Sequence, residues 1–166
     1  MPLADTVRRL HAAIRGRGDG RQPFAARARW HPETTTRVGV RFDGHTMTVD
    51  EPAAAGGTDS GPNPIELALA ALGSCQIITY RFQAARLGIA VTAIEAEVRA
   101  HLDMSPVFGL TDLARYPEAI RIRIRVEGPA TAADYRELQR LVDDSCPVLA
   151  IAHGRVPVHS ELEVGS

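Results

Sequence analysis

Apolar side chains recur at helical spacing at the start of the chain. They form a single face of an α-helix and comprise Leu3, Val7, Leu10 and Ile14. Steps of three and four residues are the signature of such a face. Three glycines between residues 16 and 20 then interrupt the pattern. We expect residues 1–23 to form a helical extension and residues 24–166 to form one domain.

After the glycines the pattern becomes typical of β-strands. Strand-like segments cover residues 24–30, 37–42 and 46–49. Asp43 and Gly44 separate the last two segments, and both tolerate the positive backbone angles that a tight primed hairpin turn requires. The sequence therefore predicts an antiparallel sheet in this region.

A long helix of about 24 residues is predicted to begin after Asn63. Asn63 can cap it, Pro64 suits the first helical position, and Gly88 can close the far end. Between residues 65 and 78 the helix is apolar on nearly every side, yet it is too short to span a membrane. A sheet or a partner must therefore bury it, with Cys75 near its middle.

The second half of the chain alternates strands with helices. Residues 94–100 and 120–127 show clean period-two alternation and are expected to be antiparallel neighbours. Thr131 can cap a second helix, Cys146 precedes a further helical turn, and residues 156–164 are expected to form a last strand. This order of elements lacks strict βαβ alternation and indicates an α+β domain.

Composition narrows the chemistry. The 166 residues contain no lysine, and the formal net charge is -1. Schiff-base and phosphate-loop lysine chemistry are excluded, and nothing in the charge indicates binding to nucleic acid or to a membrane. Two cysteines are too few for a disulfide scaffold or a four-cysteine zinc site. Residues 3–14 lack the apolar core of a signal peptide, so we expect a cytoplasmic protein.

The two thiols have different local surroundings. Cys146 directly precedes Pro147 and should lie at a helix N-cap, where the helix dipole favours a thiolate. Cys75 lies in an apolar helix, where burial should raise its pKa, so its reactivity would require an arginine or histidine from elsewhere in the fold. Two buried structural cysteines and a hydrolase built from Cys146 and His153 remain alternatives. No short-range ligand pair indicates a metal site.

The segment NPIELALAALGSC resembles the OsmC/Ohr family of thiol-dependent peroxidases, in particular its OsmC-like branch. Similarity extends to VDEPAAAGGTDSGPNP upstream and DDSCPVLAIAHGRVPV downstream, and it covers roughly residues 24–164. The resemblance implies an OsmC-like fold: an intertwined homodimer with two long central helices enclosed by antiparallel β-sheets. It places the active sites at the subunit interface.

The resemblance also implies roles for individual residues. Cys75 would be the peroxidatic cysteine and Cys146 the resolving cysteine, with an external dithiol as reductant and with neither metal nor cofactor. An arginine from the N-terminal sheet would stabilise the thiolate, and Arg37 matches it best, with Arg41 as a rival. A glutamate near the start of the long helix would hold this arginine, and Glu66 is the matching residue.

Glu66 departs from the family pattern by one position. In the strongest organic-hydroperoxide reductases of the family the glutamate follows Asn-Pro directly, whereas here Ile65 intervenes. One helical step turns a side chain by about 100°, so Glu66 can serve instead as the capping-box partner of Asn63. The leading hypothesis is a cysteine-based peroxidase that reduces organic hydroperoxides. The alternative is a non-enzymatic or weakly active dimer that binds an apolar small molecule at the subunit interface.

Overall fold

The structure, a computed structural model, describes residues 2–112 and 119–164. The described helices are α1 (Leu3–Arg17), α2 (Pro64–Leu87), α3 (Ala132–Ser145) and α4 (Pro147–Ala152), with a 3₁₀ turn at Ala53–Ala55. The described strands are β1 (Arg27–Trp30), β2 (Val38–Arg41), β3 (Thr46–Val49), β4 (Ala93–Ala100) and β5 (Ile120–Glu127). The predicted α+β class is confirmed.

Contacts divide the chain into two units. The first, the cysteine unit, comprises residues 1–7, 72–98 and 120–166. The second, the arginine unit, comprises residues 8–71 and 99–119. Helix α2 contributes its first eight residues, 64–71, to the arginine unit and the remainder to the cysteine unit.

The arginine unit contains the antiparallel sheet β1-β2-β3. Its hairpin closes where the Phe42 N–H donates to the His45 carbonyl at 2.8 Å, with Asp43 and Gly44 in the turn. Gly44 has a positive φ of 78°, but Asp43 is not among the described residues with positive φ. The expected primed turn with two positive angles is therefore wrong, because glycine alone supplies the left-handed conformation.

Helix α2 begins and ends where the sequence predicts. The Asn63 side chain accepts from the Glu66 N–H at 2.9 Å, and the Glu66 carboxylate accepts from the Asn63 N–H at 3.0 Å. This reciprocal pair is a capping box. At the other end Gly88 adopts a φ of 71°, and the Ile89 N–H donates to the Ala84 carbonyl at 3.0 Å. The chain therefore closes the helix with a left-handed glycine.

The cysteine unit packs α2 against α3, α4 and the β4-β5 sheet through two apolar clusters. The first is built on Tyr80, Ala84, Leu138 and Val142, and the second on Leu72, Cys146 and Leu149. Strands β4 and β5 are neighbours as predicted, and Thr92 beside the start of β4 donates to the Glu127 carbonyl at the end of β5. Thr131 caps α3 in a capping box, also as predicted.

The expected last strand over residues 156–164 is wrong. The described sheets contain only β1 to β5, and Val158 and Leu162 are 89% and 88% exposed. Alternating apolar residues make a strand only where a neighbouring strand accepts and donates along it. Pro157 also removes one donor from this segment. In the described part of the chain no helix is long and apolar enough to cross a membrane.

Candidate active site

The two cysteines meet inside the cysteine unit. The Cys146 thiol donates to the Cys75 sulfur at an Sγ–Sγ distance of 3.4 Å, although 71 positions separate the residues in sequence. Both are free thiols. A disulfide requires sulfurs at about 2.05 Å, so a small approach of the two side chains would join them.

Local structure explains how Cys146 reaches this position. It is the C-cap of α3 and the N-cap of α4, as the Cys-Pro sequence predicts, and its ψ of 114° is extended rather than helical. Its N–H still donates to the Val142 carbonyl at 2.8 Å. Pro147 can begin a helix but cannot continue one. The chain therefore changes direction at Cys146 while both helices keep their ends.

The two thiols differ in exposure. Cys146 is only 2% exposed and packs against Leu72 and Leu149, whereas Cys75 is half-buried. A small molecule from solvent can therefore reach the Cys75 sulfur more readily than the Cys146 sulfur.

Burial raises the pKa of the Cys75 thiol, and the adjacent Cys146 thiol raises it further. The Val148 N–H, at the start of α4, donates a hydrogen bond to the sulfur and opposes this rise in pKa. The nearby Thr79 hydroxyl, which donates to the Cys75 carbonyl at 2.8 Å, opposes it less. The net direction is upward, because desolvation disfavours the charged form most strongly. The surroundings of Cys75 in this chain therefore favour the protonated thiol, as the apolar helix predicts.

Arg37 lies in the arginine unit, immediately before β2. Its Nε donates to the Ser60 hydroxyl at 2.9 Å and its Nη2 donates to the Thr58 hydroxyl at 2.8 Å. Arg41, the rival, ends β2 with an exposed side chain. The structure thus holds Arg37 by two side-chain hydrogen bonds to the loop that precedes α2.

Glu66 and Arg37 are not hydrogen-bonded to each other among the described residues. The Glu66 carboxylate accepts from the Asn63 backbone, as its shifted position predicts for a capping box. The hydroxyls of Thr58 and Ser60 bind Arg37 instead. The described structure thus brings the two cysteines together, and in it Arg37 and Glu66 have other partners.

Sequence reasoning missed the carboxylate behind this arrangement. Asp50 follows β3 directly, is 2% exposed, and accepts hydrogen bonds from the same Thr58 and Ser60 hydroxyls. Its signal in the sequence was an acidic residue at the end of a strand before the glycine-rich loop. That position is equally common for a solvent-exposed turn residue, so the pattern alone did not distinguish it.

Two alternatives from the sequence, a metal site and a Cys-His hydrolase, can be compared with the described residues. Within residues 2–112 and 119–164, no three His, Cys, Asp or Glu side chains gather as metal ligands would. His153, the possible partner of Cys146 in a hydrolase, is the C-cap of α4, and its N–H donates to the Leu149 carbonyl at 3.0 Å. The described partner of the Cys146 thiol is Cys75.

Comparison with solved structures shows the fold. An OsmC-like protein from Mycoplasma pneumoniae matches with a TM-score of 0.68 at 18% identity, over 80% of this chain and 89% of that one. An organic hydroperoxide resistance protein from Elizabethkingia anophelis matches with a TM-score of 0.62 at 16% identity, over 81% and 90%. An organic hydroperoxide resistance protein OsmC from Legionella pneumophila has a TM-score of 0.57 at 18% identity, over 80% and 90%.

Comparison with curated protein sequences gives no match. The family model described as "OsmC-like protein" matches residues 57–161, which is more than half of the chain. This range contains the long helix with its capping box, both cysteines and the Cys-Pro break between α3 and α4. The match agrees with the resemblance in the sequence and with the fold. The chain belongs to the OsmC-like protein family.

Proposed function

We propose that the protein is a cysteine-based peroxidase that reduces organic hydroperoxides. The observation that carries the proposal is the 3.4 Å contact between two free thiols, one half-buried and one buried. Two of the structural neighbours are organic hydroperoxide resistance proteins by name, which supports the same class of substrate.

The first step uses Cys75. Its thiolate sulfur attacks the terminal oxygen of the hydroperoxide, an S–O bond forms, and the O–O bond breaks. The alkoxide leaves and takes a proton to become an alcohol, and Cys75 becomes a sulfenic acid. The apolar side chains packed around Cys75, Leu72 and Val148 among them, suit an alkyl substituent better than a small polar peroxide.

The second step uses Cys146. Its sulfur attacks the sulfur of the Cys75 sulfenic acid, the disulfide forms, and the oxygen leaves as water. An external dithiol then returns both cysteines to thiols by disulfide exchange and is itself oxidised to a disulfide. Each turnover therefore consumes one hydroperoxide and one dithiol. We place this cycle in the cytoplasm, where thiols are kept reduced.

The proposal needs a cation at Cys75, because burial holds its pKa high. We assign this role to Arg37, whose guanidinium would stabilise the thiolate and polarise the peroxide within a homodimer. Apolar side chains of α2 that are solvent-exposed in the single chain support the dimer. Ile78 is 53% and Phe82 is 41% exposed. Glu66 is assigned as the residue that orders the start of α2, and any contact with Arg37 would arise in that dimer.

The experiment follows consumption of cumene hydroperoxide by stopped flow with excess dithiothreitol. We expect Cys75→Ser to abolish activity. In the absence of dithiothreitol, which would itself reduce a sulfenic acid, Cys146→Ser should permit one turnover and accumulate a sulfenic acid that dimedone traps. Wild-type protein should sediment as a dimer. Cumene hydroperoxide consumption by Cys75→Ser at the wild-type rate would overturn the mechanism.

A non-enzymatic binding protein is the second candidate function. The raised pKa of Cys75 and the exposed apolar residues of α2 are the observations that favour it. It predicts that wild-type protein consumes the hydroperoxide no faster than free cysteine does, although both thiols react with a thiol reagent. The same stopped-flow measurement therefore separates the two functions.

A further inference from the structure

Asp50 is a buried carboxylate whose described partners are neutral hydrogen-bond donors. It is 2% exposed, at the end of β3. A buried carboxylate is costly unless several donors compensate for the lost water. The donors that compensate Asp50 are therefore fixed in place by it, and their other partners indicate what this arrangement does.

The donors to Asp50 form a nearly closed shell. Oδ1 accepts from the Thr36 hydroxyl at 2.6 Å and from the Glu51 N–H at 3.0 Å. Oδ2 accepts from the N–H and the hydroxyl of Thr58, at 3.0 and 2.7 Å. It also accepts from the N–H and the hydroxyl of Ser60, at 3.3 and 2.9 Å. One carboxylate thus fixes both the backbone and the side chains of Thr58 and Ser60.

The same two hydroxyls are the ones that bind Arg37. A hydroxyl has one proton to donate and two lone pairs that accept. Because Thr58 and Ser60 direct their protons to Asp50, their lone pairs are left for the Arg37 Nη2 and Nε donors. Asp50 therefore sets the direction in which both hydroxyls can accept.

The backbone of residues 57–61 restricts where the Thr58 and Ser60 side chains can lie. A side chain at Gly57 would collide with the Glu51 carbonyl, and one at Gly61 would collide with the Thr48 carbonyl. Asp59 adopts a positive φ of 55°, which few residues other than glycine accept. These features place Thr58 and Ser60 side by side with little freedom to move apart.

We propose that Asp50 is a positioning residue, which acts through the Thr58 and Ser60 hydroxyls to hold the Arg37 guanidinium in the orientation that assists Cys75. This inference rests on the proposed function, since it concerns the arginine of that reaction. In the family pattern a glutamate would hold this arginine. Here the Thr58 and Ser60 hydroxyls would do so, and both donate to the Asp50 carboxylate. Hydrogen bonds from Thr36 first, then Thr58, hold the pKa of Asp50 far below its usual range, so the carboxylate remains charged at neutral pH.

Two variants interrupt the hydrogen bonds that connect Asp50 to Arg37, each at a different point. Thr58→Val with Ser60→Ala removes both hydroxyls and leaves the Thr58 and Ser60 N–H donors to Asp50 in place. Asp50→Asn keeps the shape and removes the charge. The swap Thr58→Ser with Ser60→Thr keeps both hydroxyls and is the rescue variant. Thr131→Val, which removes the α3 cap in the cysteine unit, is the control for lost stability.

The first readout is kcat/KM for cumene hydroperoxide, measured in proteins that keep both cysteines. The second is the pH at which Cys75 is half-alkylated by monobromobimane, measured in a Cys146→Ser background so that Cys75 is the only thiol. Loss of the two hydroxyls should lower kcat/KM by about 10- to 100-fold, the effect expected when a reacting group is displaced by about 1 Å. It should also raise the alkylation midpoint. Asp50→Asn should act in the same direction, while the hydroxyl swap should restore most of the activity.

Arg37→Met completes a double-mutant cycle. If the hydroxyls act through Arg37, removing them in the Arg37→Met protein should cause little further loss. Fully additive losses would overturn the inference. So would a Thr58→Val, Ser60→Ala variant that is as active as the Thr131→Val control. Either result would leave the proposed peroxidase function standing. Wild-type protein that fails to consume hydroperoxide would overturn the proposed function and this inference with it, so the two failures are distinguishable.

Discussion

Oxidation of the two cysteines should make the protein markedly more stable. The perturbation is one equivalent of cumene hydroperoxide added to reduced protein, followed by removal of the excess. The 3.4 Å Sγ–Sγ distance means that side-chain rotation can bring the sulfurs to bonding distance with little movement of α2 or α4. The stabilisation should therefore not be lost to native-state strain.

The magnitude follows from the length of the closed loop. The cysteines are 71 positions apart, and the chain-entropy relation for a loop of that length gives about 4 kcal/mol at 25 °C. For a chain of this size each kcal/mol raises Tm by about 2 to 4 °C. We therefore expect Tm to rise by roughly 8 to 16 °C on oxidation.

The assay is thermal unfolding followed by circular dichroism, with a thiol count on the same samples. Oxidised wild-type protein should show no free thiol and the raised Tm, and dithiothreitol should reverse both. Cys146→Ser treated in the same way is the matched control and should show no rise. An unchanged or lowered Tm in wild-type protein that has lost both thiols would refute the reasoning from sulfur geometry.

Two further predictions concern buried polar groups. Gln76 in α2 is 0% exposed, and neither its amide oxygen nor its amide nitrogen has a described partner, so Gln76→Met should stabilise the protein by about 1 to 3 kcal/mol in urea unfolding. Destabilisation by Gln76→Met would show that a bound water or ligand satisfies the amide. Asp50 has a lowered pKa in the folded state, so the stability it contributes is present above its unfolded pKa of about 3.9 and is lost as pH falls below it. The urea midpoint should therefore fall from pH 5 to pH 3 in wild-type protein and fall less in Asp50→Asn, and an equal fall in both would contradict the assignment.

Local patterns determined most of the secondary structure. The capping boxes at Asn63 and Thr131, the closing Gly88 and the Cys-Pro break each use hydrogen bonds or backbone angles within a few residues, and all are found in the structure. Alternation of apolar and charged residues likewise fixed β4 and β5. Such features can be read from sequence because their partners are close along the chain.

Features that depend on distant partners were harder to predict. Residues 156–164 alternate like a strand, but a strand needs a neighbour to pair with, and alternation does not supply one. The primed turn at Asp43 is a different case, because the partners are close along the chain: both residues of Asp43-Gly44 tolerate a positive φ, but only Gly44 adopts one. The predicted division at residue 23 stays a prediction.

The sequence by itself determined the fold class, the family resemblance, the two thiols and the need for a cation at Cys75, because residue types and local spacing carry that information. Only the tertiary structure decided that two sulfurs 71 positions apart lie 3.4 Å from each other. It also decided that Arg37 is held by the Thr58 and Ser60 hydroxyls, which in turn donate to a buried Asp50, and that Glu66 caps α2. The physical reason is that a side chain's partner is chosen by packing and desolvation in three dimensions, and these depend on residues that the local sequence does not contain.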